Sequence, residues 1–257
     1  MNIQYFLDNI KNNIDFFLRS RITFSRKNYT EQNENKEDIF ENEEQKNLSR
    51  TLDKKYNINS LALGTVQNYL ENLYCLEILN KYISIQDKKD ISVLDIGSKN
   101  WNYAKSEYLF FANNFENIHL NGIEIDAFRM STNLYTRYEI AKYHIKDLKN
   151  TNYIAGDFLK HNQKYDYIIW FLPFITEYPL VKWGLPLRYF KPLLMLKHAY
   201  NSLNADGELL IINQGEKEYN IQKNLNDELG LNAEYYGEIN DIFDVFEHER
   251  YICKIKK

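Results

Sequence analysis

The chain of 257 residues is short of glycine, proline and cysteine, and each shortage excludes something. Two cysteines, Cys75 and Cys253, cannot build a disulfide framework or a cysteine-based zinc site. The histidines show no ligand spacing, so no metal site is expected. No apolar run approaches the roughly 20 residues of a membrane-spanning helix. Asp8, Asn9, Asn12, Asn13 and Asp15 interrupt the stretch a secretory signal would need, so the expected home is the cytoplasm. Neither sign of charge dominates: 32 Lys+Arg against 36 Asp+Glu leave a net −4, and no basic surface for nucleic acid is expected. Phosphate loops and nucleophile elbows are missing as well.

Nine glycines and four prolines fall well below the usual shares of about 7% and 5%, which makes their placement informative. Pro173, Pro179, Pro186 and Pro192 share one window of the chain, which should be irregular because proline fixes φ and removes a donor.

A helix is expected over 3–18, where Ile3, Phe6, Leu7, Ile10, Ile14, Phe17 and Leu18 recur at steps of three and four. Docking of that stripe on the rest of the chain is the plainer expectation. A homo-oligomer contact is the alternative, and the Asn-rich polar face counts against a membrane. Residues 1–24 form this helical unit and 25–50 an acidic, exposed linker. From Glu31 to Arg50 the linker carries seven acids against three bases. Residues 51–90 form a helical lid or extension, with a helix from Ser60 to about Ile83. After Asp90 the pattern changes. Strands are expected near 92–96, 118–125, 152–155, 165–171 and 208–213, alternating with helices. Two terminal strands near 233–238 and 250–255 would make a hairpin. Residues 91–257 are therefore expected to form a three-layer α/β sandwich. Its seven-stranded sheet should be mostly parallel, with an antiparallel edge hairpin.

In such a sheet ligands bind beyond the carboxyl ends of the strands. Gly97 follows the first strand and Gly156 the third, while Gly122 lies inside the second, where a missing side chain permits close approach. Three acids stand at three successive strand ends. Asp95 lies in VLDIGSKNW, Glu124 in GIEID and Asp157 in GDF. An acid after the second strand can accept bonds from both hydroxyls of a ribose.

The ordered series VLDIGSKNW, GIEID, GDF, YDYIIWFLPF and LNADGELLIIN resembles class I S-adenosylmethionine-dependent methyltransferases, a Rossmann-like superfamily, over about 92–257. The resemblance implies S-adenosyl-L-methionine as cofactor. Asp95 and Gly97 would face its methionine part, Glu124 the ribose and Asp157 the adenine, with Ile125 and Phe158 beside them as further cofactor contacts. The first glycine motif is degenerate: where the family usually has two further glycines, this chain has Lys99 and Trp101. A dinucleotide pyrophosphate would suffer from that change, whereas a carboxylate tail could be bound by Ser98 or Lys99.

The proline window borders the acceptor side in this fold. Phe171, Phe174, Glu177 and Trp183 are the expected acceptor contacts, for a small molecule with apolar or aromatic surface. Catalytic residues remain unassigned; Glu177 and His198 are candidate bases by location only. The alternative function is a non-catalytic binding or scaffold module in which the Trp101 indole fills the cofactor pocket.

Overall fold

The computed structural model describes residues 3–257. Seven strands form one sheet in the order β3-β2-β1-β4-β5-β7-β6. They are β1 (Asp90–Ile96), β2 (Asn117–Glu124), β3 (Thr151–Ala155), β4 (Tyr165–Phe171), β5 (Leu203–Gln214), β6 (Ala233–Ile239) and β7 (Arg250–Lys256). All neighbouring pairs are parallel except those made by β7, which runs antiparallel to both β5 and β6. The reversed strand therefore lies one place in from the edge. The order turns back between β1 and β4, which opens a crevice at their carboxyl ends.

Alternate residues of each strand feed opposite layers, as a pleated strand requires. Val93, Leu120, Tyr167, Ile169, Leu210 and Ile252 face a core shared with α2 (Glu43–Tyr56), α3 (Val66–Tyr82) and α4 (Ala104–Asn114). Leu94, Ile96, Ile168, Leu209, Ile211 and Cys253 face the other, against α7 (Pro192–Asn201) and α8 (Gly215–Glu228). Among the described residues no helix is long and apolar enough to cross a membrane.

Several expectations change. A helix, α2, begins inside the expected linker, capped by the Asn42 side chain, which accepts from Gln45 N. The irregular chain before it is held rather than loose. Arg26 donates to the Glu139 carboxylate from both its guanidinium and its backbone N–H, and Val66 N donates to Glu34. The second expected helix starts at Val66 instead of Ser60, behind a short 3-10 turn at Ile58–Ala62. The helix that follows the second strand is short, α5 (Arg137–His144), entered through a Thr136/Glu139 capping box.

The largest reversal concerns α1 (Ile3–Arg19). It docks through its polar side: Asn12 donates to the carbonyls of Val181 and Leu185, and Leu187 N donates to Asn9. Phe16 is the single large apolar side chain of this helix that is buried, packing with Leu180, Val181 and Leu185 of the proline window. The stripe from Ile3 to Leu18 faces outward. Periodicity identified the helix, yet the side that docks is the one whose amides bond the backbone of the proline window.

Candidate cofactor and acceptor cleft

A cleft of about 940 Å³, counting its open mouth, lies at the carboxyl ends of β1, β2, β3 and β4. Gly97, Lys99, Glu124, Ile125, Asp157 and Phe158 line one half. Phe171, Phe174, Leu180, Trp183, Leu185, Tyr189 and Met195 line the other. No residue of 3–95 lines it, so the expected lid over 51–90 is placed elsewhere: α3 packs on α4, where Asn72 donates to Asn102 O.

Glu124, 5% exposed, ends β2. Its carboxylate accepts from Lys99 N at 3.0 Å and from Asp126 N at 2.7 Å. Arg137 Nη1 stands 3.6 Å away. Each oxygen retains a lone pair for an incoming hydroxyl. Asp157 at the end of β3 accepts from Leu159 N, capping a short turn, and still reaches the cleft wall. Gly97 and Gly156 offer the clearest sign of an intended occupant. A Cβ built on either would meet no atom within 4 Å among the described residues, although both lie against the cleft.

The degenerate motif keeps a glycine-like backbone. Gly97, Lys99 and Trp101 all have positive φ, at 75°, 52° and 46°. Lys99 lines the cleft, with its Nζ 4.7 Å from the centre of the Trp183 ring; Arg137 Cζ lies 5.2 Å from the same ring. Burial first, and then the neighbouring Arg137 charge, pull the Lys99 pKa below its ordinary value. Trp101 is fully buried away from the cleft. Its indole occupies the space that a side chain at Gly122 would take, 2.8 Å from the missing Cβ, and its Nε1 donates to Glu107 at 2.8 Å.

Asp95 and Ser98 also lie behind the cleft wall rather than on it. Both are fully buried; the Tyr103 hydroxyl lies beside the Asp95 carboxyl, and the Ser98 hydroxyl has no hydrogen-bond partner among the described residues. Burial pushes the Asp95 carboxyl up to about 8. The Glu124 charge adds to that rise, while Tyr103 and Lys99 oppose it. Burial, then the charge of Asp95, likewise raises Glu107 well above the usual range.

Of the expected acceptor contacts, Phe171, Phe174 and Trp183 share the cleft, but Glu177 does not. Glu177 is exposed at the start of α6 (Glu177–Lys182) and accepts from the Tyr5 hydroxyl of α1. His198 sits behind Phe158, ring to ring at 4.7 Å. Among the described residues of the acceptor half there is no carboxylate, imidazole or thiol. Tyr189, one of the aromatic residues of the proline window, joins that wall, whereas Arg137 and Lys191 were missed by sequence reasoning; no motif singles out Arg137, whose place follows from α5 starting beside the end of β2.

No family model and no curated protein matches the chain. Solved structures do. A structure described as a class I S-adenosylmethionine-dependent methyltransferase from Listeria monocytogenes is 16% identical with a TM-score of 0.52, covering 82% of this chain and 67% of that one. A methyltransferase from Pyrococcus furiosus is 16% identical with a TM-score of 0.52, covering 83% and 98%. One from Methanococcus maripaludis, described as S-adenosyl-L-methionine-dependent, is 14% identical at 0.51, covering 88% and 97%. The chain thus has the fold of the class I methyltransferases, the superfamily its motif series resembles.

Proposed function

We propose that this chain transfers a methyl group from S-adenosyl-L-methionine to a small acceptor with an apolar body. The observation that carries the reading is the open cleft bounded by Gly97, Glu124 and Gly156–Asp157 at the ends of three adjacent strands. The residues present fit the cofactor: Glu124 would hold the ribose hydroxyls and Asp157 the adenine amine. Ile125 and Phe158 would cover the base, and Lys99 would meet the carboxylate tail. Asp95 and Ser98 would act from behind the wall. When bound, the cofactor supplies an electrophilic methyl on a sulfonium that departs as a neutral thioether. The protein then has mainly to align the acceptor, which is what a rigid apolar wall does.

The acceptor half sets the chemistry further. Phe171, Phe174, Leu180 and Trp183 exclude water from the acceptor's body. With no carboxylate or imidazole among the described lining residues there, the side chains left to take a proton are Tyr189 and Lys191, and the half best suits an acceptor that presents its own lone pair, as a thiolate or carboxylate does. Neither Glu177 nor His198 is placed to serve as its base. The scaffold-module reading loses its support, since the Trp101 indole lies against Gly122 and leaves the cleft open.

The test is calorimetric titration with S-adenosylhomocysteine. Micromolar, one-to-one binding is expected of the natural sequence. A Cβ at Gly156 would meet no atom within 4 Å, so Gly156→Val, which grows from that point toward the cleft, should fold normally yet lose binding. No heat and no thermal shift with the natural sequence would overturn the assignment.

A further inference from the structure

We propose that the outward face of α1 is a self-association surface, and that its occupant is the α1 of a second copy packed antiparallel to it. The starting observation is the reversed docking of this helix. Ile3, Phe6, Leu7, Ile10, Ile14, Phe17 and Leu18 are 42–79% exposed, while Asn9, Asn12, Asn13 and Phe16 hold the helix to the protein. Ile22 and Phe24 extend the exposed face just beyond its end. The continuous patch offers on the order of 800 Å² of apolar surface. That exceeds what an ordinary monomer leaves open and equals one partner's share of a standard interface.

Charge selects the occupant. A two-fold axis that pairs two antiparallel helices brings the same flank of each copy together, because the contact is isologous. The flank beside this stripe carries Asp8, Lys11 and Asp15 at steps of three and four, and Lys11 and Asp15 are exposed. Running in reverse against itself, that flank sets Lys11 of one copy opposite Asp15 of the other, twice. Beyond the Asp8–Lys182 pair and the mutually balancing Lys11 and Asp15, an anionic lipid surface would meet one further cation, Arg21 over the Phe17 ring, far short of the basic cluster such a surface selects. The opposite flank, Asn9 and Asn13, is uncharged and already spent on the proline window.

The pairing also bears on the cleft. Phe16 lies on the underside of the same helix, 4.9 Å from the Tyr189 ring, and Arg19 donates to Asp126 and to Gly184 O. A second copy clamped on α1 would therefore stiffen the wall that carries Leu180, Leu185 and Tyr189.

Sedimentation or light scattering of the full chain is the test. A dimer is expected for the natural sequence and a monomer for Ile10→Glu/Ile14→Glu, with unchanged circular dichroism because both side chains are exposed. Lys11→Glu should weaken the dimer, and Lys11→Glu/Asp15→Lys should restore it. A monomeric natural sequence overturns the proposal, including one that instead floats with phosphatidylcholine vesicles. So does a dimer indifferent to Ile10→Glu/Ile14→Glu, or a Lys11→Glu loss that Asp15→Lys fails to rescue. S-adenosylhomocysteine titration of the monomeric variant keeps this outcome separate from the cofactor reading, since neither Ile10 nor Ile14 lines the cleft or the adjoining hollow beside Gly156 and Asp157.

Discussion

Replacing Glu124 by Gln tests the cofactor half most sharply, because the swap keeps the shape and removes the charge. In the native site the two carboxylate oxygens accept from Lys99 N and Asp126 N, with Arg137 beside them. A carboxamide has one acceptor oxygen and one NH2 group, so one of those two N–H donors is left facing another donor. Stranding it costs about 1–3 kcal/mol of stability, a fall in Tm of about 2–10 °C for a chain of this size. The ligand penalty is separate. Two charge-assisted bonds to ribose hydroxyls become one neutral one, which costs about 2 kcal/mol, or roughly 30-fold in affinity for S-adenosylhomocysteine.

Calorimetry well below the lowered Tm reads the second effect without the first. A cycle with the 2′-deoxy analogue isolates the hydroxyl: the natural sequence should discriminate against it, and Glu124→Gln should discriminate much less. Should Glu124→Gln bind S-adenosylhomocysteine within twofold of the natural sequence, the carboxylate does not hold the ribose. The acid at the end of β2 would then be a loop clasp and nothing more.

Asp95 holds its proton to about pH 8 when folded, whereas an unfolded carboxyl releases it near pH 4, so the unfolded chain binds fewer protons across that window. Stability should therefore fall as pH rises from about 4 to 8, and Asp95→Asn should flatten that slope in urea titrations. Glu139 behaves oppositely. Burial alone would raise its pKa, but the Arg26 and Thr136 donors outweigh that and hold it at about 2. Its stabilisation is full above the ordinary carboxyl range and lost as pH falls toward 2, and Arg26→Ala should shrink that acid limb without abolishing it, since the Thr136 donors and the backbone N–H at position 26 remain. The two degenerate positions should part company when glycine is restored. Lys99→Gly relieves a left-handed backbone and should leave Tm within a few degrees, while Trp101→Gly empties a fully buried site and should cost at least about 3–5 kcal/mol by chemical denaturation.

The alternation of short apolar runs with amphipathic segments after Asp90 was enough to place all seven strands, because buried parallel strands read as continuous apolar runs. The acids and glycines at strand ends were legible for the same reason: scarce residue types at a topologically fixed place. Which acids reach the cleft was not legible. Asp95 and Glu124 end adjacent strands, yet one is shut behind the wall and the other lines it, a difference set by the backbone path between Gly97 and Trp101. Glu177 misled because an acid in a loop beside the site can equally face away, here toward Tyr5. α2 escaped notice since its buried face rests on Gln45, Ser49, Leu52 and Tyr56, too polar to show as a stripe. The direction of α1 escaped for the complementary reason: hydrophobic periodicity reports which side is apolar and says nothing of whether that side finds a partner within the same chain.

The glycine motif shows most plainly what a sequence pattern stands for. Glycine is common at such turns because it enters the left-handed region freely, and an L side chain there costs about 1–2 kcal/mol. Lys99 and Trp101 occupy that region all the same, so other contacts must offset the cost. They are visible. Lys99 N is taken by Glu124, and its carbonyl accepts from the Tyr153 hydroxyl. Trp101 N donates to Ser98 O at 2.7 Å, while the indole fills the space opened by Gly122 and donates to Glu107. The missing glycine has in effect moved from the loop to the neighbouring strand, where it makes room for the indole. What the fold requires at this turn is a backbone conformation with its N–H groups satisfied, and two bulky residues supply it once the sheet beneath gives way. Lys99 then gains something a glycine lacks, an amino group in the lining of the cleft beside Trp183.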